Sequence, residues 1–220
     1  EALVRWKHPV KGLIPPGKFI PVFEKNGFIM ELDAFIWEET CRLLKNWIDT
    51  GKTVLPISVN ISRVNLYNPQ LVNIIKDLVE KYGIPPHLLE LEITESAYTN
   101  NAFQLIDILN EFHEHGFTVM MDDFGSGYSS LNMLKDIPVD ALKIDLNFLS
   151  GADTLGRGKN ILSSVVGMSR SINLPTIAEG VETKEQADFL RSIECHRAQG
   201  YFFFKPMPIA EFEKAVVDGK

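Results

Sequence analysis

Three features are scarce or absent in this sequence, and each absence excludes a class of protein. Only two cysteines occur, Cys41 and Cys195, and neither lies in a CxxC or Cys/His spacing, which excludes a disulfide framework and a zinc site. No apolar run approaches the ~18 residues of a membrane span, and no signal-peptide layout is present. The net charge of -7 argues against binding a DNA or RNA duplex, or an anionic membrane, through a broad basic surface.

The remaining composition predicts one globular domain over residues 1–220. The chain is 45% hydrophobic and 23% charged, which is the ordinary range for a protein with one sizeable core. The scarcity of cysteine fits a reducing cytoplasm best. Because the sequence opens on Glu1 without an initiator Met, we expect a piece of a longer protein, and a membrane anchor of the full-length protein would lie outside this piece.

Short apolar runs that suit buried strands alternate with longer segments of helical period. The predicted strands are Ala2–Trp6, Leu55–Asn60, Leu88–Thr94, Thr118–Asp122, Ala141–Asp145, Thr176–Glu179 and Gly200–Phe204. The predicted helices are Met30–Thr50, Pro69–Tyr82, Ala102–His115, Ser129–Lys135, Gly158–Ile172 and Thr183–Ile193. This alternation predicts an α/β fold with a parallel sheet, more similar to a (βα)8 TIM barrel than to an open sheet. A full barrel needs eight strands, so we expect one strand before Glu1.

Polar residues collect at the ends of these strands. In a parallel barrel the carboxyl ends of the strands form one rim, where barrel active sites lie. Several carboxylates on one rim repel each other unless cations lie among them, and a set of oxygen ligands without Cys or His selects Mg²⁺ or Mn²⁺. The doublet Asp122-Asp123 suggests two ions, an arrangement that recurs in phosphate-ester hydrolysis. The expected rim residues are Asn60, Glu92, Asp122, Asp123 and Glu179, with Lys143, Asp145 and Gln199 beside them.

Each of these features also has a plain structural interpretation. Asp122-Asp123 before Phe-Gly is compatible with ordinary turn chemistry, Glu92 with a solvent-facing strand position, and Lys143 with a surface lysine. The glycines of Gly125-Ser126-Gly127 suggest a dinucleotide fingerprint, but Ser130 stands where a third glycine is needed, and two acids would repel a pyrophosphate. Only the joint pattern, at matching ends of successive strands, favours a metal site.

Seven motifs follow one another along the chain: EAL at 1–3 with Arg5-Trp6, SVN at 58–60, ELEITES at 90–96, DDFGSGYSS at 122–130, KID at 143–145, AEGVE at 178–182 and QGY at 199–201. In this order they resemble the EAL-domain phosphodiesterases, which hydrolyse the bacterial second messenger cyclic di-GMP to linear pGpG with the help of metal ions. The resemblance covers essentially the whole chain and implies a modified TIM barrel in which one strand is antiparallel.

The resemblance also implies a role for each matching residue. It assigns one metal to Glu1, Asn60, Glu92 and a shared Asp122, and the second metal to Asp123 and, partly through water, Glu179. In this assignment Lys143 positions the attacking water. The residues that the resemblance places near the substrate are Leu3 and Arg5, of which Arg5 contacts a phosphate, together with Asp145 and Gln199.

The same family resemblance carries expectations about partners and ions. It implies a homodimer, and N-terminal sensory or diguanylate-cyclase domains in the full-length protein. Ca²⁺ is expected to bind but to inhibit, because its coordination sphere is larger and looser than that of Mg²⁺. Two other functions remain open: a receptor that binds cyclic di-GMP without cleaving it, and a scaffold that acts through protein contacts alone.

Two geometric expectations follow from strand alternation and direction. Glu1 precedes its strand whereas the other ligands end theirs, so its strand must run antiparallel to Leu55–Asn60 if Glu1 is to meet them. Because alternate strand residues face the same way, Glu95 cannot point with Glu92 and is no metal ligand. The resemblance makes Glu95 the anchor of the loop 124–130.

Overall fold

The computed structural model describes residues 1–98, 102–125, 131–146 and 157–217. The chain forms two compact units. The first contains the described residues of Glu1–Ile93, Asp107–Thr118 and the stretch that begins at Met207, and the second contains those of Thr94–Ile106 and Val119–Pro206. The α/β class predicted from the sequence is confirmed.

The first unit begins with a β-hairpin and contains one parallel strand pair. Strands β1 and β2 pair antiparallel, while β3 and β4 pair parallel. Single turns of 3-10 helix precede α3 and β4. Helix α4 begins in the second unit and continues into the first. The elements of the first unit are β1 (Trp6–His8), β2 (Gly12–Ile14), α1 (Pro16–Asn26), α2 (Ile29–Asp49), β3 (Ile57–Asn60), α3 (Leu71–Tyr82), β4 (Leu89–Thr94), α4 (Ala102–Glu114) and α8 (Ile209–Phe212).

Helix α2 contributes a long buried stripe to the core of the first unit. The buried positions recur at the three- and four-residue spacing of one helical face; they are Ile29, Asp33, Trp37, Thr40, Cys41, Leu44 and Trp47. Trp47 stacks on Phe212 at a centroid distance of 6.1 Å, and its indole N–H donates to Glu213 Oε1 at 2.8 Å. The segment that begins at Met207 is therefore fastened to α2 by both an aromatic and a polar contact.

The second unit contains four parallel strands in chain order. Strands β5, β6, β7 and β8 pair successively and in parallel. Burial is nearly complete along β5, β6 and β7 up to the last residue of each, which is half-buried. This pattern is the one expected of parallel strands covered on both faces. The elements are β5 (Val119–Asp122), α5 (Leu131–Asp136), β6 (Ala141–Asp145), α6 (Arg157–Ser171), β7 (Thr176–Glu179), α7 (Lys184–Ser192) and β8 (Arg197–Ala198).

Five of the seven predicted strands and all six predicted helices are present, with ends shifted by a few residues. The start of the helix predicted at Ser129–Lys135 and the loop residues 126–130 lie outside the described residues. Helix α7 begins with a capping box in which Thr183 Oγ1 accepts from the N–H of Gln186 and the Gln186 side chain accepts from the N–H of Thr183. That reciprocal pair satisfies two otherwise open donors and explains the sharp start of the helix.

The strand predicted at Ala2–Trp6 is wrong as a strand. Regular pairing begins only at Trp6, in β1, and its partner is β2 rather than β3. Gly12, with a φ of 72°, supplies the left-handed residue that the hairpin turn requires. Residues 1–5 form no strand and contact β3 through the N–H of Ala2, which donates to the carbonyl of Ser58 at 2.8 Å.

The strand predicted at Gly200–Phe204 is also wrong. The strand β8 comes earlier and is short, and the aromatic run after Gly200 turns back on itself, since the N–H groups of Phe203 and Phe204 both donate to the carbonyl of Gly200 at 3.0 and 3.1 Å. Local turn hydrogen bonds thus take the groups that a strand would offer to its neighbours. The apolar run predicted burial, whereas Phe204 is 56% exposed.

Within the described ranges, none of the helices combines the length and the apolar character needed to cross a membrane. Cys41 and Cys195 are both free thiols. Burial raises the pKa of the Cys41 thiol to about 12, so this side chain behaves as a small apolar core residue rather than as a nucleophile.

Candidate active site

Asn60 and Glu92 lie side by side at the carboxyl ends of β3 and β4. The parallel register pairs Ile57 with Leu89 and continues to the pair Asn60 and Glu92. The backbone continues the connection, because the N–H of Ile61 donates to the carbonyl of Glu92 at 2.8 Å. Glu92 is 1% exposed, so the plain interpretation of a solvent-facing strand residue is excluded. The register places the two residues opposite each other on neighbouring strands, near the carboxyl end of each.

Glu1 joins this pair from a segment that approaches in the opposite direction. The Asn60 side-chain amide donates to Glu1 Oε1 at 3.3 Å, while Ala2 bonds one step back, to Ser58. Residue numbers rise along the first segment while those of its partners in β3 fall. This is the antiparallel direction expected from the position of Glu1. The first unit therefore brings together Glu1, Asn60 and Glu92.

Lys143 is the centre of the polar cluster in the second unit. Its side chain is 2% exposed, and Nζ lies 2.8 Å from Glu179 Oε1 and 3.5 Å from Asp122 Oδ1. The amide of Gln199 donates to the same Glu179 oxygen. The interpretation of Lys143 as a surface lysine is thus excluded. Its buried ammonium, on β6, lies between the carboxylates that end β5 and β7, the strands on either side of β6.

The backbone after β5 is held by bonds from two directions. The N–H of Phe124 donates to the carbonyl of Lys143 at 3.0 Å, and the N–H of Gly125 donates to Glu95 Oε2 at 3.1 Å. Asp123 immediately precedes Phe124 and has a φ of 56°, a left-handed conformation that aspartate tolerates better than most residues. Its N–H donates to Asp122 Oδ1 at 2.9 Å. Asp122 and Asp123 are therefore held by backbone bonds on both sides.

Glu95 has left the strand, as the alternation of β4 predicted. It opens a turn of 3-10 helix at Glu95–Ala97 and is 5% exposed. Its carboxylate points at the described start of the loop after β5 rather than along the face of Glu92. The contact required of a loop anchor is present at Gly125, while the part of the loop at 126–130 lies outside the described residues.

The expected substrate-contacting residues are less closely tied to these clusters. Asp145 is half-buried and lies in register with Glu179 across β6 and β7. Leu3 is 46% exposed, and Arg5 is an exposed side chain whose Nη1 donates to the carbonyl of Val4 at 2.8 Å. Both are accessible to a ligand.

The donor chemistry of these residues fits a hard divalent cation. Among the residues that the structure describes, no group of three or more His, Cys, Asp and Glu side chains is arranged as a ready metal site. The carboxylates and the amide nevertheless supply only oxygen atoms as ligands, the type that Mg²⁺ and Mn²⁺ prefer. Lys143 already places a positive charge between Asp122 and Glu179, which marks the position as one that favours a cation.

Sequence reasoning did not identify Asp33 and Trp37. Both lie on the buried stripe of α2, and each bonds to the chain at the end of β3. A sequence signal existed, because an aspartate on an otherwise apolar helical face must find donors when it is buried. The identity of those donors depends on packing between α2 and β3, which no local pattern specifies.

The sequence of this chain is similar to a known family of domains and to several named proteins. The profile described as EAL domain matches residues 1–206. A Pseudomonas aeruginosa protein named cyclic di-GMP phosphodiesterase NbdA is 40% identical over 214 residues, which is 97% of this chain and 27% of the relative. The Escherichia coli protein named cyclic di-GMP phosphodiesterase PdeR is 34% identical over 214 residues, 97% of this chain and 32% of that protein. The chain thus spans about a quarter to a third of these relatives.

Solved structures show the same fold. A structure titled PaMucR phosphodiesterase, c-di-GMP complex, is 37% identical, covers 96% of this chain and 85% of that one, and has a TM-score of 0.90. This similarity confirms the TIM-barrel-like α/β class expected from the sequence.

Proposed function

Because this chain belongs to the EAL domain family, we propose that it hydrolyses cyclic di-GMP to linear pGpG in a metal-dependent reaction. The names of its relatives and the c-di-GMP complex of a similar structure support this substrate. The single observation that carries the proposal is the buried ammonium of Lys143 between Asp122 and Glu179. A protein that only displays a surface to a partner gains nothing from burying an ammonium between two half-buried carboxylates.

The ligand set expected from the sequence remains our proposal for the metal ions. Following the family resemblance, the proposed ligands are Glu1, Asn60, Glu92 and Asp122 for one ion, and Asp122, Asp123 and Glu179 for the other. When bound, two Mg²⁺ or Mn²⁺ ions would neutralise phosphate charge and lower the pKa of a water molecule. The contact between Glu1 and Asn60 and the register of Asn60 with Glu92 support the first three assignments.

Lys143 is proposed to hold the attacking water and to offset negative charge on the phosphate as it develops. Its burial supports this role, because a desolvated ammonium interacts more strongly with a nearby anion than a solvated one. Glu179 fixes the ammonium on one side, and Gln199 in turn fixes Glu179. Glu179 and Gln199 would therefore hold the ammonium of Lys143 in one position from which it donates to the water.

Substrate binding is assigned to Leu3, Arg5, Asp145 and Gln199. The guanidinium of Arg5 suits a phosphate oxygen, because its donors form a planar fork. The Arg5 side chain is exposed, and among the described residues no ion pair engages its guanidinium. Both facts support the assignment.

The proposal extends to the setting of the domain. Residues 1–220 are proposed to act as one catalytic domain, in a homodimer, within a longer protein that carries N-terminal sensory or diguanylate-cyclase domains. The small part of each relative that this chain spans supports the additional domains. A cytoplasmic location of the domain is supported by two free thiols.

The test is incubation of the purified chain with cyclic di-GMP and Mg²⁺, with pGpG followed by chromatography. Product formation is expected, and it would reject both the receptor and the scaffold. Binding without product would select the receptor, and no binding would select the scaffold. A Lys143→Met variant should lose product formation, whereas Lys184→Met, which changes an exposed lysine paired with Asp188, should retain it. Equal activity of the two variants would contradict the role of Lys143.

A further inference from the structure

Two buried side chains of α2 bond to the backbone on either side of the end of β3. The indole N–H of Trp37 donates to the carbonyl oxygen of Asn60 at 3.0 Å. Asp33 Oδ2 accepts from the N–H of Ser62 at 2.9 Å. Asp33 is 7% exposed and Trp37 is 1% exposed. Being four residues apart, they lie on one face of the helix and act on the same short segment.

The carboxylate of Asp33 also closes the turn that follows. It accepts from the side-chain amide of Asn65 at 2.8 Å, and Asn65 is itself buried. The N–H of Asn65 donates to the carbonyl of Ser62 at 2.9 Å. A single carboxylate thus holds both ends of the turn between Ser62 and Asn65.

Three consecutive backbone groups therefore have fixed partners. They are the carbonyl of Asn60, held by Trp37; the N–H of Ile61, held by the carbonyl of Glu92; and the N–H of Ser62, held by Asp33. Together with the pairing of β3 and β4, these bonds fix the backbone at Asn60 and therefore the direction in which its Cα–Cβ bond points. That side chain points at Glu1, to which it donates a hydrogen bond.

Packing alone does not account for an acid at position 33. Burial raises the pKa of the Asp33 carboxyl, and its bonds to Ser62 and Asn65 offset this only in part. The other members of the α2 stripe are apolar or nearly so, and an apolar side chain there would avoid the cost of desolvating a charge. An apolar side chain could not accept the hydrogen bonds from the N–H of Ser62 and the side-chain amide of Asn65.

We propose that Asp33 and Trp37 are positioning residues that orient Asn60 as a ligand of the divalent metal ion, an inference that rests on the proposed function. Neither side chain touches metal or substrate. They act through the backbone of residues 60–62, and supports of this kind typically change metal affinity or activity by about 10 to 100-fold.

The decisive variant is Trp37→Phe, which keeps an aromatic ring but removes the donor to Asn60. Trp47→Phe is its matched control, because Trp47 is equally buried on the same helix face but donates to Glu213 instead. The metal-free protein is titrated with Mn²⁺, and the concentration of free Mn²⁺ is measured from its signal. Trp37→Phe should bind Mn²⁺ about 10-fold more weakly than the wild type. Trp47→Phe should lose stability but bind Mn²⁺ as the wild type does.

A second pair of variants tests the carboxylate. Asp33→Ala removes the acceptor for Ser62 and Asn65 and should weaken Mn²⁺ binding as Trp37→Phe does. Asp33→Asn keeps a carbonyl oxygen and should restore most of the affinity. A role in stability alone predicts that affinity follows the melting temperature in all four variants, and that result would overturn the proposal.

The side-chain amide signal of Asn60 in an NMR spectrum separates this inference from the proposed function. The signal, assigned by its loss in Asn60→Ser, should shift in Trp37→Phe and Asp33→Ala but not in Trp47→Phe. If the wild type binds no Mn²⁺, the proposed function fails together with the metal part of this inference. If the wild type binds Mn²⁺ but the Asn60 signal is unshifted in Trp37→Phe and Asp33→Ala, the positioning role alone is overturned.

Discussion

The carboxylate of Glu95, in the turn that follows β4, accepts a hydrogen bond at 3.1 Å from the N–H of Gly125, in the chain that follows β5. Gly125 has a φ of 95°, so its N–H is presented by a backbone conformation that favours glycine. A buried carboxylate thus restrains the segment that immediately follows Asp122 and Asp123.

We therefore expect Glu95→Ala to fold but to lose most of its activity, about 10 to 100-fold at low Mg²⁺. The acceptor for Gly125 disappears, and the positions of Asp122 and Asp123 become less well defined. The measurement is the rate of pGpG formation as a function of Mg²⁺ concentration. Glu95→Gln, which keeps an acceptor oxygen, serves as the control; full activity of Glu95→Ala at low Mg²⁺ would show that the anchor role is wrong.

Gly200→Ala should be strongly destabilising. A Cβ at this position would lie 2.3 Å from the backbone nitrogen and oxygen of Val181, a distance that only a backbone shift can relieve. We expect the free energy of unfolding to fall by about 1 to 3 kcal/mol, the range for overpacked sites. The shift would also move Gln199, whose backbone bonds to both Ala178 and Val181, away from Glu179.

Gly167→Ala is the matched control for that substitution. Gly167 lies inside α6, where an added Cβ meets nothing within 4 Å. Replacement of a helical glycine by alanine should stabilise by about 0.5 to 1 kcal/mol. Chemical denaturation measures both variants, and similar effects of the two would contradict the close approach of Gly200 to Val181.

The buried carboxyl of Asp33 predicts a pH-dependent difference in stability. Its folded-state pKa is raised, chiefly by desolvation and further by the charge of Glu24. A raised acid pKa means that the folded state favours the protonated form, so the charged form costs stability as pH rises through that pKa. Asp33→Asn should therefore be more stable than the wild type at neutral pH.

The advantage of Asp33→Asn should shrink as pH falls below the raised pKa and vanish below the ordinary value of 3.8, because only there is the wild-type carboxyl neutral in both the folded and the unfolded state. Melting temperatures of the two proteins over a series of pH values test this. A difference that stays constant from acid to neutral pH would mean that the charge of Asp33 costs nothing. The stability gain is compatible with retained metal affinity, since the asparagine still offers one acceptor.

Ser169→Ala should be neutral or stabilising. Ser169 is fully buried in α6, and among the described residues its hydroxyl has no hydrogen-bond partner. Removing an unsatisfied buried polar group recovers its desolvation cost, about 1 to 3 kcal/mol at most. The control is Ser164→Ala on the same helix, where an exposed hydroxyl donates to the carbonyl of Asn160 at 2.8 Å. A loss of stability in Ser169→Ala alone would indicate that the hydroxyl has a partner.

Ca²⁺ should bind to the protein but support little turnover. Its coordination sphere is larger and less regular than that of Mg²⁺, so a water molecule beside the phosphate would be misplaced. Rates of pGpG formation with each ion, and competition of Ca²⁺ against Mg²⁺, measure this. Equal rates with the two ions would contradict the proposed two-ion arrangement.

The sequence predicted the site more fully than it predicted the edges of the fold. Asn60, Asp122 and Glu179 end strands whose branched and apolar residues specify burial, and Glu92 lies near the end of another, so the positions of these residues follow from strand direction. The hairpin of β1 and β2 was missed because each strand has only three residues, too few for a period to be visible.

Tertiary contacts account for the remaining differences. The aromatic run after Gly200 has the composition of a strand, but the N–H groups of Phe203 and Phe204 bond locally to Gly200, and composition does not distinguish the two outcomes. The bonds from Asp33 and Trp37 to the segment after β3 require a particular packing of α2, which the helical period predicts only as a face and not as a set of partners.

The register of β3 and β4 has a consequence for insertions and deletions. Because Asn60 and Glu92 are aligned by strand pairing, their relation does not depend on the length of the connection through α3. Loss of one residue inside either strand would turn the following side chain to the opposite face of the sheet. Homologous chains can therefore vary in length on the exposed side of α3, whereas length changes within Ile57–Asn60 or Leu89–Glu92 would separate the two side chains.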